Sequence, residues 1–208
     1  MKKIFLVVFL FTLITSKAQK LAVTDTGQEV ILYDDGTWKY KDKSDVEKEI
    51  PTNSKKFKKN DKSTFLLKSN KFNVGFWLNT KKWSFKKATN NEEAEYELQL
   101  KNGDLYGLMI TEKTSIPLKT LKSIALENAK SVAPDITVVK EEYRTVNGSK
   151  VLLMQMNGTM QGIKVSYYGY YFSNNNGTLQ FLTYTSQNLL SDYIDEIEDL
   201  LNGFIETK

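Results

Sequence analysis

The sequence contains no cysteine and no histidine, and both absences narrow the chemistry open to this 208-residue chain. Without cysteine there are no disulfides, no thiol nucleophile and no cysteine for lipid attachment. Without histidine the chain lacks the commonest general base, the usual metal ligand and every Ser-His nucleophile system. Catalysis by a Ser-Lys pair, catalysis by a carboxylate pair and calcium binding by oxygen ligands remain possible. No Ser-x-x-Lys motif, however, occurs in a context that indicates catalysis. We therefore expect a protein that is not an enzyme and that holds no cofactor and no metal.

Arginine is nearly absent too, since Arg144 is the only one. The formal net charge is +4, and removing Lys2, Lys3 and Lys17 of the first 18 residues lowers it to +1. Eight lysines face five acids in residues 41–64, whereas residues 65–208 hold sixteen charges of each sign. Phosphate binding needs clustered basic side chains on a folded surface. We expect no nucleic-acid partner.

Only one segment, Ile4 to Ile14, forms a long apolar run. It is about half the ~20 residues that a bilayer span requires. A basic start precedes it, and the small residues of Ser16-Lys17-Ala18 follow it at the positions that a signal peptidase reads. This pattern predicts a signal peptide over residues 1–18, cleaved between Ala18 and Gln19. The protein is expected to be exported to the periplasm or beyond the cell, without lipidation and without stable membrane insertion.

Residues 19–40 predict a small β-hairpin. In EVILYDDGTWKY, alternating apolar residues flank Asp34-Asp35-Gly36, a link that suits a type I turn followed by glycine in the left-handed region. Turn chemistry explains both aspartates better than a metal or acid-base site. The stretch resembles the short DGTW hairpin found near the start of many exported bacterial proteins. An isolated hairpin is marginal in water, so this one must pack on the main domain, a second copy or a partner.

Residues 41–64 predict a flexible, lysine-rich linker, because Val46, Ile50 and Phe57 are its only sizeable apolar residues. Its lysine pairs could touch an anionic lipid or glycan, although such a run usually only keeps a segment solvated.

Residues 65–208 predict one α+β domain. FNVGFWLNTKKWSF reads as a strand and a turn, and AEYELQLKNGDLYGLMITE as a hairpin around Asn102-Gly103. A helix with Pro117 near its start follows, and then four strands near 136–146, 149–157, 162–172 and 178–186. The last element is a helix with an apolar stripe from Tyr193 to Phe204, whose acidic face we interpret as solvated rather than calcium-binding. Each helix has one apolar stripe, so both are expected on the same face of an antiparallel sheet.

Three stretches of this domain resemble the PsbP-like fold, which is shared by the extrinsic subunit of the photosynthetic oxygen-evolving complex and a Ran-binding nuclear import factor. FNVGFWLNTKKWSF resembles the entry strand with its Trp, YRTVNGSKVLLMQM the central hairpin, and YIDEIEDLLNGFI the closing helix ending in Phe. The resemblance covers about 140 residues and brings no catalytic motif. It implies a binding or assembly module.

The aromatic run VSYYGYYF is the candidate recognition surface. Tyr168, Tyr170 and Phe172 continue the alternation of Lys164 and Ser166, so we assign them to the open face of the sheet. Tyrosine is enriched in interface cores, although packing within the sheet is the alternative interpretation. The predicted function is an exported, non-catalytic binding or assembly module for a protein partner in the cell envelope. The alternatives are a carrier or sensor for a small apolar or carbohydrate ligand between sheet and helices, and, third, a carboxylate-based hydrolase.

Overall fold

The computed structural model describes residues 20–24, 28–41, 49–89 and 93–207, which fall into two units that divide between Glu47 and Lys48. The strands are β1 (Lys20–Val23), β2 (Glu29–Leu32), β3 (Trp38–Tyr40), β4 (Thr52–Phe57), β5 (Phe65–Lys68), β6 (Val74–Leu78), β7 (Trp83–Lys87), β8 (Ala94–Leu100), β9 (Tyr106–Glu112), β10 (Thr137–Val146), β11 (Ser149–Met160), β12 (Ile163–Asn174), β13 (Gly177–Ser186) and β14 (Phe204–Glu206). The helices are α1 (Leu118–Val132) and α2 (Leu190–Leu201), and a 3-10 turn, Gln187–Leu189, leads into α2.

The first unit contains a three-stranded antiparallel meander in the order β1-β2-β3. The turn between β2 and β3 is the one that the sequence predicts, with Gly36 at φ 81° in the left-handed region. The side chain of Asp35 accepts hydrogen bonds from the backbone N–H and the hydroxyl of Thr37, at 2.9 and 2.6 Å, which accounts for this carboxylate as a turn residue. Strand β1 was not predicted, and it adds a third strand to the hairpin.

The second unit is built on an eight-stranded sheet in the order β4-β10-β11-β12-β13-β9-β8-β7. All neighbours in it are antiparallel except β4 and β10, which are parallel. A smaller antiparallel sheet, β14-β6-β5, packs on one face of it. The four predicted central strands are found within one to three residues of their expected bounds. Among the described residues, neither helix is both long and apolar enough to cross a bilayer.

The two helices lie on opposite faces of the large sheet, so the prediction of two helices on one face is wrong. Helix α1 packs through Leu121 and Ala125 on Leu152, Met154 and Tyr171. Helix α2 packs with β5, β6 and β14 on the other face, and its buried Ile197, Leu200 and Leu201 belong to a cluster that includes Tyr168 and Tyr170. Successive strand residues point to opposite faces, so Tyr170 and Tyr171 identify the two faces. The prediction failed because an amphipathic stripe shows that a helix packs against the sheet but does not show which face of the sheet it covers.

The predicted linker over residues 41–64 is wrong for its second half. Residues 52–57 form strand β4 at one edge of the large sheet, where Asn53 donates to the carboxylate of Glu142 at 3.2 Å. Ile50 and Phe57 are buried, so two of the three apolar residues in this segment belong to the core. The parallel backbone pairing with β10 supports a strand whose other side chains are polar. Residues 42–48 lie outside the described residues.

The chain after α2 also differs from the prediction, because Phe204 belongs to β14 rather than to the closing helix. Strand β14 pairs with β6, opposing Phe204 to Phe76. A Cβ on Gly203 would lie 2.2 Å from the carbonyl oxygen of Trp77, so only glycine allows the two backbones to approach this closely.

A β-bulge in β8 reverses the facing of its first residues relative to a regular alternating strand. The register with β9 shifts between Ala94 and Tyr96. Ala94 therefore packs with Ile110 and Leu182 on the α1 face, while the carboxylate of Glu95 turns to the other face and accepts hydrogen bonds there.

Candidate binding surface

The three residues predicted to form an exposed recognition face are buried. Tyr168, Tyr170 and Phe172 are 1%, 0% and 4% exposed. They point toward α2, and the ring of Phe172 lies 4.9 Å from that of Phe204. The exposed Lys164 at the start of β12 misled the prediction, because it lies before the covered part of the strand. This face is core and is not available to a partner.

The hydroxyls of these two tyrosines belong to a polar network centred on Arg144. The guanidinium donates to Glu142 at 2.6 Å, to Glu198 at 2.6 Å and to the hydroxyl of Tyr170 at 3.0 Å. Tyr168 donates to the second oxygen of Glu198 at 2.6 Å. The guanidinium also lies 4.3 Å from the ring centre of Phe57 in β4.

Each charge in this network has a partner, which is the condition for burying it. Burial raises the pKa of both Tyr168 and Tyr170, so both stay neutral hydroxyls. Burial acts to lower the pKa of Arg144, but the hydrogen bond to Glu198 and the tyrosines around it hold that pKa above its usual range. The network joins α2 to the large sheet, including its edge strand β4, and we interpret it as structural.

On the α1 face, three tyrosines form a row across three neighbouring strands. Tyr167 of β12 is directly opposite Tyr184 of β13, and Tyr184 is directly opposite Tyr106 of β9. The rings of Tyr106 and Tyr184 stack at 5.4 Å and 23°, and those of Tyr167 and Tyr184 lie 5.9 Å apart. All three side chains are half-buried. We call these residues the tyrosine row.

Beside the row, a groove of about 420 Å³ runs between α1 and the sheet and is open to solvent along one side. We call it the α1 groove. Its walls are mainly apolar and aromatic side chains, contributed by α1 and by β9, β11, β12 and β13: Leu108, Ile110, Ala125, Ala129, Val132, Met156, Met160, Tyr167, Tyr171, Leu182 and Tyr184. Glu93 is the one carboxylate among the described lining residues. The groove exists because α1 packs over β11 and β12 while the α1 face of β9 and β13 stays half exposed.

Two carboxylates of α2 have structural partners. The carboxylate of Glu196 on α2 pairs with Lys82, and Asp199 accepts a hydrogen bond from Asn60 at 2.9 Å. The cleft that contains both carboxylates has a volume of only about 10 Å³. Among the described residues, no group of three or more acidic side chains is placed to hold a metal ion.

Sequence reasoning assigned the open face of β12 to the wrong alternating set and so missed the tyrosine row. Both sets in VSYYGYYF are aromatic, and only the packing of α2 and the small sheet decides between them. A usable signal lies in β13, where Gln180 and Tyr184 alternate with Leu179, Phe181 and Thr183. The more polar set marks the half-open face, and hairpin pairing then brings Tyr167 beside Tyr184.

Solved structures share this architecture at low sequence identity. The solution structure of cyanobacterial PsbP (CyanoP) from Synechocystis sp. PCC 6803 matches with a TM-score of 0.50 and 12% identity, covering 68% of this chain and 91% of that chain. The domain has a PsbP-like fold. This confirms the fold resemblance read from the sequence, and it concerns the fold alone.

Two further structures match the PsbP-like domain more loosely. One is a Pseudomonas aeruginosa protein of unknown function, at a TM-score of 0.40 and 13% identity, with 56% of this chain and 76% of that chain covered. The other is LpqN of Mycobacterium tuberculosis, described as involved in cell envelope biogenesis, at 0.43 and 10% identity, with 65% and 83% covered. No protein-family model and no curated protein matches the sequence.

Proposed function

We propose that this protein is an exported, non-catalytic binding or assembly module that captures a protein partner in the cell envelope. The observation that supports it is the α1 groove with the tyrosine row along one side. Interface cores are enriched in tyrosine and methionine and depleted in charge, and this surface combines the half-buried Tyr167, Tyr184 and Met160 with one carboxylate. The partner is a protein segment that presents apolar side chains to the groove.

The open side of the groove favours a protein partner over a small-ligand carrier. A carrier encloses most of its ligand, and pockets of this kind bury most of a small ligand's surface. The α1 groove has sufficient volume for a small ligand, at about 420 Å³, but it is open to solvent. A peptide segment can lie in such a groove and continue beyond both ends. Methionine side chains adapt to the shape of what they contact, which suits a peptide.

The distribution of carboxylates supports a non-catalytic function. A carboxylate-based hydrolase needs two such groups in one cleft, with environments that separate their pKa values. The α1 groove holds Glu93 alone among its described lining residues. Because the whole chain contains neither histidine nor cysteine, it has no Ser-His or Cys-His pair to act as a nucleophile and base.

The envelope location rests on the amino-terminal sequence. Residues 1–18 lie outside the described residues, and their basic start, short apolar run and Ser16-Lys17-Ala18 support a cleaved signal peptide. The mature protein then begins at Gln19, which intact-mass analysis of the exported form would establish.

A matched pair of substitutions on α1 tests the groove. Asn128 lines the groove and Glu127 does not, and both side chains are exposed. Asn128→Trp places a large ring at the groove and should reduce capture of the partner from native envelopes. Glu127→Trp introduces the same ring one position away and should leave capture unchanged. Both variants should keep their free energy of unfolding within ~0.5 kcal/mol of the wild type, as exposed substitutions usually do.

The readout is the yield of crosslinked protein partner, compared by quantitative mass spectrometry. Equal capture by both variants would remove the groove from the proposal. Capture lost equally in both would show that α1 is involved through its outer surface instead.

A further inference from the structure

A second pocket lies on the α1 face of the sheet, at the β9 end of the tyrosine row. It has a volume of about 300 Å³ and is open to solvent above the strands. Strands β7, β8 and β9 form its floor, and Tyr184 lies at the boundary that it shares with the groove. Its lining side chains on this face are Ser84, Lys86, Glu97, Gln99, Tyr106 and Tyr184. We call it the β8 pocket, and its lining is more polar than that of the groove.

The ring of Tyr106 forms the aromatic wall of the β8 pocket. Its separation of 5.4 Å from the ring of Tyr184 is close to the spacing of neighbouring strands, about 4.8 Å. Two nearly parallel rings at this separation, on directly opposite residues of adjacent strands, stack on each other. One face of Tyr106 is therefore covered by Tyr184, and its other face is turned toward β8 and the pocket.

The polar side chains next to this ring offer both hydrogen-bond donors and hydrogen-bond acceptors. Their one positive and one negative charge cancel. Gln99 is directly opposite Tyr106, and Ser84 of β7 is directly opposite Gln99, so these three residues continue one row across the sheet. Gln99 is exposed, and its amide offers both donors and an acceptor. Lys86 and Glu97 pair at 3.0 Å beside them, so their charges balance.

We propose that the β8 pocket binds one pyranose ring of a neutral glycan. The C–H face of the sugar packs on the free face of Tyr106, and its hydroxyls bond with Gln99, Lys86 and Glu97. A sugar ring matches both the aromatic ring and the polar side chains of the lining, since it is apolar on its faces and carries hydrogen-bond donors and acceptors around its edge. A purely aromatic ligand would leave the polar groups without partners, and a charged ligand would have to compete with the Lys86–Glu97 pair. This site does not require the partner proposed for the α1 groove, although both are lined by Tyr184.

The test is saturation-transfer NMR of the full mature chain with three neutral trisaccharides: cellotriose, maltotriose and N-acetylated chitotriose. At least one should receive saturation, with an affinity near ~1 mM, the range of a small ligand in an open pocket. Tyr106→Ala should weaken that binding by about tenfold or more, while Tyr106→Phe should retain it because the ring remains. Trp38→Ala is the control, since Trp38 is an exposed aromatic residue of the first unit and does not line the β8 pocket. Its binding should match the wild type.

Gln99→Leu provides a second variant in case Tyr106→Ala lowers stability, because Gln99 is exposed. It should also weaken binding while the fold stays intact. Co-sedimentation of the protein with the insoluble polymer of the sugar that binds distinguishes two sources of the ligand. If the protein sediments with the polymer, the ligand is part of an extended glycan. If it does not, the ligand is a free oligosaccharide. No saturation of any of the three trisaccharides, or binding that survives both Tyr106→Ala and Gln99→Leu, would overturn the proposal.

Discussion

Arg144 links α2 to the large sheet through a buried side chain. Its side chain is 4% exposed, and it lies between the carboxylates of Glu142 and Glu198 and against the ring of Phe57. A buried ion pair need not stabilise a fold relative to apolar residues, but removal of one member leaves the other without its partner. The two tyrosine hydroxyls that bond in this network would lose partners too.

We predict that Arg144→Ala lowers the free energy of unfolding by ~3–5 kcal/mol, the usual cost of breaking a buried pair. Lys86→Ala, which removes the exposed partner of Glu97, should change it by less than ~1 kcal/mol. Urea denaturation of the two variants provides the comparison. An equal, small effect of both would show that the network contributes no more than a surface pair.

Two other carboxylates predict how stability depends on pH. Burial acts to raise the pKa of Glu95, but hydrogen bonds from Thr111, Ser69 and Asn70 outweigh burial and hold this pKa below the ordinary value of 4.5. Burial also acts to raise the pKa of Glu142, and the bonds from Arg144 and Asn53 lower it in the same way. A lowered pKa in the folded state means that the unfolded chain binds protons first as the pH falls.

The contribution of these carboxylates is therefore complete above about pH 5 and is lost as the pH falls below 4.5 and through the lower folded-state values. We expect the urea midpoint to fall between pH 5 and pH 3. In Glu95→Gln the midpoint should be lower at pH 7 and should change less over the same range. A wild-type midpoint that stays constant from pH 5 to pH 3 would contradict this explanation.

At the scale of single residues, the sequence predicted which positions are aromatic and alternating but not which set is covered. Tyr167 and Tyr168 are the same residue type on neighbouring positions, and their environments differ because α2 and β14 cover one face of β12. Such coverage depends on contacts between elements far apart in the chain. Local alternation cannot contain that information.

Among the elements, β4 shows where a local sequence pattern is insufficient to predict a strand. Strand β4 reads TNSKKF and has one buried side chain, Phe57, so its composition resembles that of a solvated linker. Its stability as a strand comes from backbone pairing with β10 and from the Asn53 contact to Glu142. The central strands were predictable because Asn-Gly turns bound long alternating runs, as at Asn147-Gly148.

A truncation pair tests the revised domain boundary. The fragment 48–208 retains β4 and should unfold cooperatively with nearly the stability of this unit in the full chain. The fragment 65–208 loses the buried side chains of Ile50 and Phe57, each worth ~1.5–3 kcal/mol, and exposes the edge of β10. It should therefore be less stable by several kcal/mol.

Chemical denaturation followed by tyrosine and tryptophan fluorescence measures both fragments. If the fragment 65–208 is as stable as the fragment 48–208, then β4 adds no stability to this unit, as the prediction of a linker implies.

At the scale of the PsbP-like domain, the two faces of the large sheet are covered to different extents. One face is fully packed by α2, β5, β6 and β14 around the Arg144 network. The other is covered by α1 over β11 and β12 and leaves the tyrosine row, the α1 groove and the β8 pocket accessible. The proposed function depends on this asymmetry, since it places partner recognition on the α1 face and leaves the α2 face as core.

The most direct measurement is site-specific photo-crosslinking of the full-length protein in its native envelope. A benzophenone side chain is introduced at Asn128 on the rim of the α1 groove or at Asp195, an exposed residue of α2 on the opposite face. We predict that the probe at Asn128 yields a discrete crosslinked protein, that adding the Ala129→Phe substitution inside the groove suppresses it, and that the probe at Asp195 yields none. A discrete product from Asp195 with none from Asn128 would contradict the claim and assign recognition to the α2 face.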